Sequence, residues 1–204
     1  MFEETELAAL RDAARRQIRA RQRALRGAHS EASLLERSAR IVERVAELDV
    51  YRSARSIGLF WPLPREVDLR ELDTRARAAG KLTFYPVMDP REGGGYATGF
   101  AAVHDVAELA PRTQRFSEPP PDALRATRGE LDLIVVPALA VSQTGHRLGY
   151  GVGFYDATLP DFCPPAVAVI AAYDFQLLAE LPDLPHDIPG SYVVTDARTL
   201  TVRT

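Results

Sequence analysis

Apolar positions along this chain alternate between helical spacing and dense, strand-like runs. Over residues 3–26, Leu7, Leu10, Ala14, Ile18 and Leu25 fall at spacings of three, four and seven, which predicts a helix with one apolar stripe and arginines around it. Ser30 is placed to cap a second helix, whose stripe includes Leu34, Ile41, Val45 and Leu48. Residues 56–61 predict a buried strand, stopped by Pro62 and Pro64. A third helix is expected over 67–79 with Gly80 as its C-terminal cap. A strand over 82–87, a glycine turn over 92–95 and a returning strand over 96–103 follow, and the proline-rich stretch 111–122 reads as an irregular connection.

Residues 131–136 form a near-continuous apolar run, as expected of a central parallel strand covered on both faces. A glycine-rich segment comes next, residues 154–159 open a helix, and 166–172 and 192–195 are further strands, with an edge at 200–202. Helices alternating with buried strands predict a three-layer α/β/α domain with a mostly parallel sheet. The expected organisation is one domain over 1–204, with N-terminal basic helices over 3–50 and an α/β body over 55–204.

Composition narrows the function classes. The 204 residues are 46% hydrophobic and 26% charged, the mix of an ordinary globular protein. A net charge of -3 argues against nucleic acid or an anionic membrane as a partner. The longest apolar runs are too short to span a bilayer, and the charged start carries no signal-peptide pattern. Cys163 is the only cysteine, which excludes an internal disulfide and a cysteine-based metal cluster. A cytoplasmic monomer is expected. Seven arginines crowd residues 11–26 (Arg11, Arg15, Arg16, Arg19, Arg21, Arg23 and Arg26), and such a helix on a mildly acidic body suits an anionic small ligand.

Four constellations can carry chemistry. In Arg147-Leu-Gly-Tyr-Gly-Val-Gly-Phe-Tyr-Asp156, glycines at alternate positions let backbone N–H groups approach a ligand, between a buried strand and a helix start that favours an anion. Arg147 can clamp a phosphate and Asp156 can offer an oxygen to Mg²⁺. The motif is neither a Walker A loop nor a dinucleotide fingerprint, and a plain turn closing a strand is an equally open reading. The arginine helix can turn at most a pair of its cations toward such a site. After the first strand, Glu66 can accept hydrogen bonds from a polar heterocycle and Trp61 or Phe60 can stack on one; Glu66 and Asp68 also suit a plain helix start. His186-Asp187 is the fourth: Asp187 suits Mg²⁺, and His186 suits a structural hydrogen bond. No serine elbow or partnered cysteine accompanies them.

The run from Leu131 to Asp156, Leu-Asp-Leu-Ile-Val-Val-Pro-Ala-Leu-Ala-Val-Ser-Gln-Thr-Gly-His-Arg-Leu-Gly-Tyr-Gly-Val-Gly-Phe-Tyr-Asp, resembles the signature of 5-formyltetrahydrofolate cyclo-ligases, also called methenyltetrahydrofolate synthetases. The basic helix around Arg16, the Glu66-Val-Asp68 element, Gln176, His186-Asp187 and Val194-Thr195 resemble that family in order. The resemblance implies a fold like the ribose-phosphate isomerase and coenzyme A transferase group. It implies ATP-dependent closure of 5-formyltetrahydrofolate to 5,10-methenyltetrahydrofolate with Mg²⁺, the formyl oxygen being phosphorylated and N10 then attacking. A non-catalytic ATP- or folate-binding relative is the alternative, and a sugar-phosphate enzyme on the same fold has no residues in its favour.

Carried over by position, the resemblance gives Arg147 and Tyr155 catalytic roles. It assigns ATP to Arg16 and to Arg147, Leu148, Gly149, Tyr150, Gly151, Val152, Gly153, Phe154 and Tyr155. It assigns folate to Trp61, Glu66, Tyr150, Gly151, Val152, Gly153 and Phe154, and Mg²⁺ to Asp156 and Asp187. Asp12, Val152 and Phe154 depart from the family's usual lysine, glycine or lysine, and tyrosine.

Overall fold

The strand that begins at Ser56 lies inside the sheet, paired in parallel with a strand on each side. The computed structural model describes residues 4–112, 116–183 and 187–202, so His186 lies outside the described residues. Its helices are α1 (Glu4–Ala28), α2 (Glu31–Glu47), α3 (Asp49–Ser53), α4 (Arg70–Ala78) and α5 (Phe154–Phe162). The strands are β1 (Ser56–Gly58), β2 (Leu82–Pro90), β3 (Tyr96–Ala102), β4 (Ala110–Pro111), β5 (Ser117–Glu118) and β6 (Leu133–Pro137). They continue with β7 (Ala140–Ser142), β8 (Arg147–Leu148), β9 (Val167–Ala171), β10 (Leu177–Leu178), β11 (Tyr192–Val194) and β12 (Thr199–Thr201).

Seven strands form the main sheet in the order β12-β11-β9-β6-β1-β2-β3. The five inner strands are parallel; β3 and β12 close the two edges antiparallel. From β1 the chain builds outward to β2 on one side and later to β6 on the other, so the topological switch falls between β1 and β6. Ligands of open α/β sheets bind outside the carboxyl ends of the strands at this point.

The continuous apolar run of β6 is explained by its two covered faces. Leu133 and Val135 enter the cluster made with Ile41, Val45 and Leu72 from α2 and α4. Ile134 and Val136 enter the opposite cluster with Phe154, Leu159 and Phe162 of α5. All four are fully buried, each contributing about 1.5–3 kcal/mol relative to exposure.

Local signals hold where they rest on backbone chemistry. Ser30 caps α2, its hydroxyl accepting the Ser33 N–H at 3.2 Å. Gly80 ends α4 with φ 74°, its N–H donating to Arg77 O at 2.9 Å. Two expectations change. The first strand stops at Gly58, so Phe60 and Trp61 lie beyond the sheet edge. The leucines of the expected α1 stripe are exposed, Leu7, Leu10 and Leu25 at 47%, 58% and 37%, with Ala14 and Ile18 half-buried, whereas Arg15 and Gln22 are 7% and 1% exposed. Charge pairing and carbonyl acceptors on the body draw the arginine side of this helix inward. No described helix is long and apolar enough to cross a membrane.

Candidate active site

A cleft of about 520 Å³ opens at the carboxyl ends of β1 and β6. Helix α1 forms one wall with Asp12, Arg15, Arg19 and Arg23. The segment after β1 forms another with Phe60, Trp61, Leu63 and Glu66. Gly149 to Gly153 and the first turn of α5, through Asp156, form the third, with Arg147 of β8 between them.

Arg147 is fixed at both ends of its guanidinium. Nη1 donates to Ile188 O at 2.7 Å and Nη2 donates to Asp156 Oδ1 at 2.6 Å. Its side chain is 4% exposed, and burial lowers its pKa while the nearby Asp156 carboxylate raises it. The glycine loop that follows turns into α5 through Gly153, whose φ of 77° and ψ of 12° are left-handed. No side chain caps this helix, so its first-turn N–H groups remain for an anion or solvent.

Glu66 sits across the cleft. Its Oε2 accepts the Leu63 N–H at 2.9 Å, and the Tyr150 hydroxyl stands beside the carboxylate. Removal from water raises the Glu66 pKa, and the hydrogen bonds from Tyr150 and Leu63 pull it back only in part. Tyr150 in turn accepts a 2.5 Å hydrogen bond from Arg26 Nη1, with the Arg26 and Arg23 guanidinium groups against its ring. Burial raises the pKa of Tyr155 strongly, with the Glu66 carboxylate adding to it. The Tyr155 hydroxyl is buried and has no hydrogen-bond partner among the described residues.

The arginine helix meets the cleft through a row at four-residue steps. Arg15 pairs with Asp187 at 3.0 Å and donates to Pro182 O at 2.9 Å; Arg19 Nε donates to Gly149 O at 2.9 Å. Arg16 is exposed and outside the lining, so Arg15, one residue earlier, holds the place expected for it. Arg15, Arg19 and Arg23 all line the cleft, one more than the pair expected, because with Arg26 they share a helix face by three- and four-residue spacing. Leu148 is buried beneath the loop and does not line the cleft. Phe154 is 8% exposed and packs edge-on against Phe100 and Phe116, a setting in which a phenylalanine needs no hydroxyl. Val152 and Asp12 both line the cleft.

Asp156 lines the cleft and keeps a side-chain exposure of 32%, while Asp187 is 4% exposed, tied to Arg15 and outside the lining. The described residues hold no cluster of three or more acidic, histidine or cysteine side chains able to cage a metal alone. That donor set fits a Mg²⁺ held by one carboxylate, waters and nucleotide phosphates, and does not fit an all-protein cage. Cys163, half-buried beside the cleft arginine, has its thiol pushed up to about 11 by burial, so it is neutral and unreactive at physiological pH.

A cationic wall, an amide-rich loop at a helix start and an aromatic wall with one enclosed carboxylate, all at the switch point of a doubly wound sheet, define a nucleotide-using α/β enzyme. Comparison with known proteins makes this specific. Residues 11–196 match the model of the 5-formyltetrahydrofolate cyclo-ligase family, and the chain belongs to that family. It is similar to the 5-formyltetrahydrofolate cyclo-ligase of Escherichia coli, 32% identical over 149 residues, which is 71% of this chain and 80% of that one. The cyclo-ligase of Mycolicibacterium smegmatis is 49% identical over 82 residues, covering 40% of this chain and 42% of its own length. Among solved structures, the 5,10-methenyltetrahydrofolate synthetase of Aquifex aeolicus superposes with a TM-score of 0.80 at 26% identity, covering 93% of each chain.

Proposed function

We propose that this chain catalyses the ATP-dependent conversion of 5-formyltetrahydrofolate to 5,10-methenyltetrahydrofolate, releasing ADP and phosphate. The observation that carries the site assignment is the buried Arg147 between the glycine loop and Asp156, facing Glu66 and Trp61 across one cleft. The reaction needs no protein nucleophile. The formyl oxygen attacks the γ-phosphorus and the bond to ADP breaks. The N10 lone pair then attacks the activated formyl carbon, the carbon–oxygen bond breaks, phosphate leaves and N10 loses its proton.

The protein's part is positioning and charge stabilisation. Arg147, Arg15, Arg19 and the amides of residues 149–155 bind and orient the phosphates. Glu66 accepts hydrogen bonds from the N–H groups of the pterin, and Trp61 lines its ring face. Tyr155 directs its hydroxyl, which has no partner among the described residues, at the reacting oxygen. Asp156 would hold Mg²⁺, with Asp187 close by in its pair with Arg15. The ion, when bound, neutralises the phosphate charge. We place the enzyme in the cytoplasm as a monomer, as its single cysteine and mildly acidic composition support.

The test is product formation, followed by the absorbance of methenyltetrahydrofolate near the violet. Turnover that requires both ATP and Mg²⁺ is expected, and active-site-competent protein with no product would refute the proposal.

A further inference from the structure

Arg65 is the sole non-glycine residue with a positive φ, 68°, among the described residues. A side chain of this size rarely adopts that conformation, and it persists only where the surroundings demand it. Glycine would take the same backbone freely, so the chain keeps a costly residue here for its side chain.

The guanidinium reaches back to the end of α1. Nη2 donates to Gly27 O at 3.0 Å and, in a shorter contact, to His29 O; Nε and Nη2 point at Arg26 O from 3.4 and 3.3 Å. These carbonyls lie at the helix end that lacks intrahelical donors, where a cation is favoured. The left-handed turn sends the next residue the opposite way, and Glu66 enters the cleft with its carboxylate folded onto the Leu63 N–H.

The contacts close a ring. Arg65 grips the backbone at Arg26, Arg26 donates to the Tyr150 hydroxyl, Tyr150 stands against Glu66, and Glu66 is bonded in the chain to Arg65. Apolar packing does little of this work, because Leu25 in the last turn of α1 is 37% exposed. We infer that Arg65 is a positioning residue that sets the distance between the arginine row of α1 and the Glu66 carboxylate, so that the two walls of the cleft fit one pair of substrates. The inference rests on the activity proposed above.

The test uses Arg65→Gly, which keeps the backbone conformation and removes the guanidinium, and Arg65→Lys, which restores a cation able to reach part of the carbonyl set. Trp61 is the single tryptophan and lines the cleft, so quenching of its fluorescence by 5-formyltetrahydrofolate reports binding without turnover. Arg65→Gly is expected to melt near the wild-type temperature and to bind the folate about tenfold more weakly, with kcat/KM falling in step and Arg65→Lys intermediate. Wild-type binding in Arg65→Gly overturns the inference, and so does weakened binding that merely tracks a lowered melting temperature in both variants. If Arg65→Gly does not fold, Arg65→Lys decides alone: looser binding at an unchanged melting temperature supports positioning, and unchanged binding overturns it. A wild-type protein that binds the folate and yields no product refutes the proposed activity while leaving this binding test intact.

Discussion

Arg147 and Asp156, nine residues apart in sequence, meet at 2.6 Å across the turn that leads from β8 into α5. Each therefore holds the other in the cleft before any phosphate arrives. Arg147→Ala and Asp156→Ala are each expected to lower kcat/KM by at least about a hundredfold, the scale of losing a preorganised charge at a reacting centre. Arg147→Lys should recover little, because a lysine cannot donate to Ile188 O and a phosphate in the same plane. Steady-state assays with all three variants check this, and near-wild-type rates in either alanine variant would remove Arg147 and Asp156 from the site.

Tyr155 carries a buried hydroxyl without a described partner, a cost of about 1–3 kcal/mol to the folded state. Tyr155→Phe should thus leave the melting temperature unchanged or raise it, while turnover falls by about tenfold or more. Thermal denaturation read beside the activity assay distinguishes this from an ordinary core tyrosine, whose loss would lower stability and spare catalysis.

Glu66 gives a pH signature. Its pKa is raised above the ordinary 4.5, mainly by removal from water, so the folded protein binds this proton more tightly than the unfolded chain does. Stability from this group is full below pH 4.5 and falls as pH rises through the folded-state pKa. Glu66→Gln should abolish that contribution, raise the melting temperature at pH 7–8 relative to wild type, and cost activity by weakening folate binding. Melting curves from pH 4 to 8 for both proteins test the sign; a variant less stable than wild type at pH 8 contradicts it.

Two glycines four positions apart separate architecture from binding. A Cβ on Gly145, at φ 78°, would lie 2.5 Å from Gly190 O and 2.9 Å from Val202 Cγ2. Gly145→Ala should cost about 3 kcal/mol or more, a fall in melting temperature of roughly 6–12 °C for a chain of this size. A Cβ on Gly149 meets nothing within 4 Å, in a residue that lines the cleft. Gly149→Ala should melt like wild type and raise the KM for ATP or folate. Equal melting temperatures for the two variants would show that the loop is not built as described.

Much of the fold was legible because its signals are local. The apolar runs anticipated all seven main-sheet strands, with the far ends of β1 and β2 displaced, and Ser30 and Gly80 marked helix ends through hydrogen bonds that those residues make themselves. The pairs β4–β5 and β7–β8, with strands of two or three residues, carry no periodicity to read. The α1 stripe misled for a different reason. Leucines at helical spacing normally face the core, yet here Asp187, Pro182 O and Gly149 O attract the opposite, arginine-bearing face, and those partners are distant in sequence. Arg16, assigned to ATP by the family resemblance, is exposed, and its neighbour Arg15 lines the cleft. Trp61, Glu66, Arg147 and the glycine loop were legible as chemistry; their convergence on one cleft required the β1–β6 switch.

The docking of α1 also sets an order of events during synthesis. Arg15 waits for Pro182 and Asp187, 167 and 172 residues further on, and Arg19 and Arg26 wait for Gly149 and Tyr150, 130 and 124 residues on. At ribosomal speeds of about 5–20 residues per second the delay is roughly 6–35 s. Until residue 149 emerges, these arginines are without those partners, while β1, β2 and β3 can already pair with one another. The cationic wall of the cleft is thus the oldest part of the nascent chain yet depends on partners made late, and a chain stalled before residue 149 would carry four of the seven main-sheet strands without those partners.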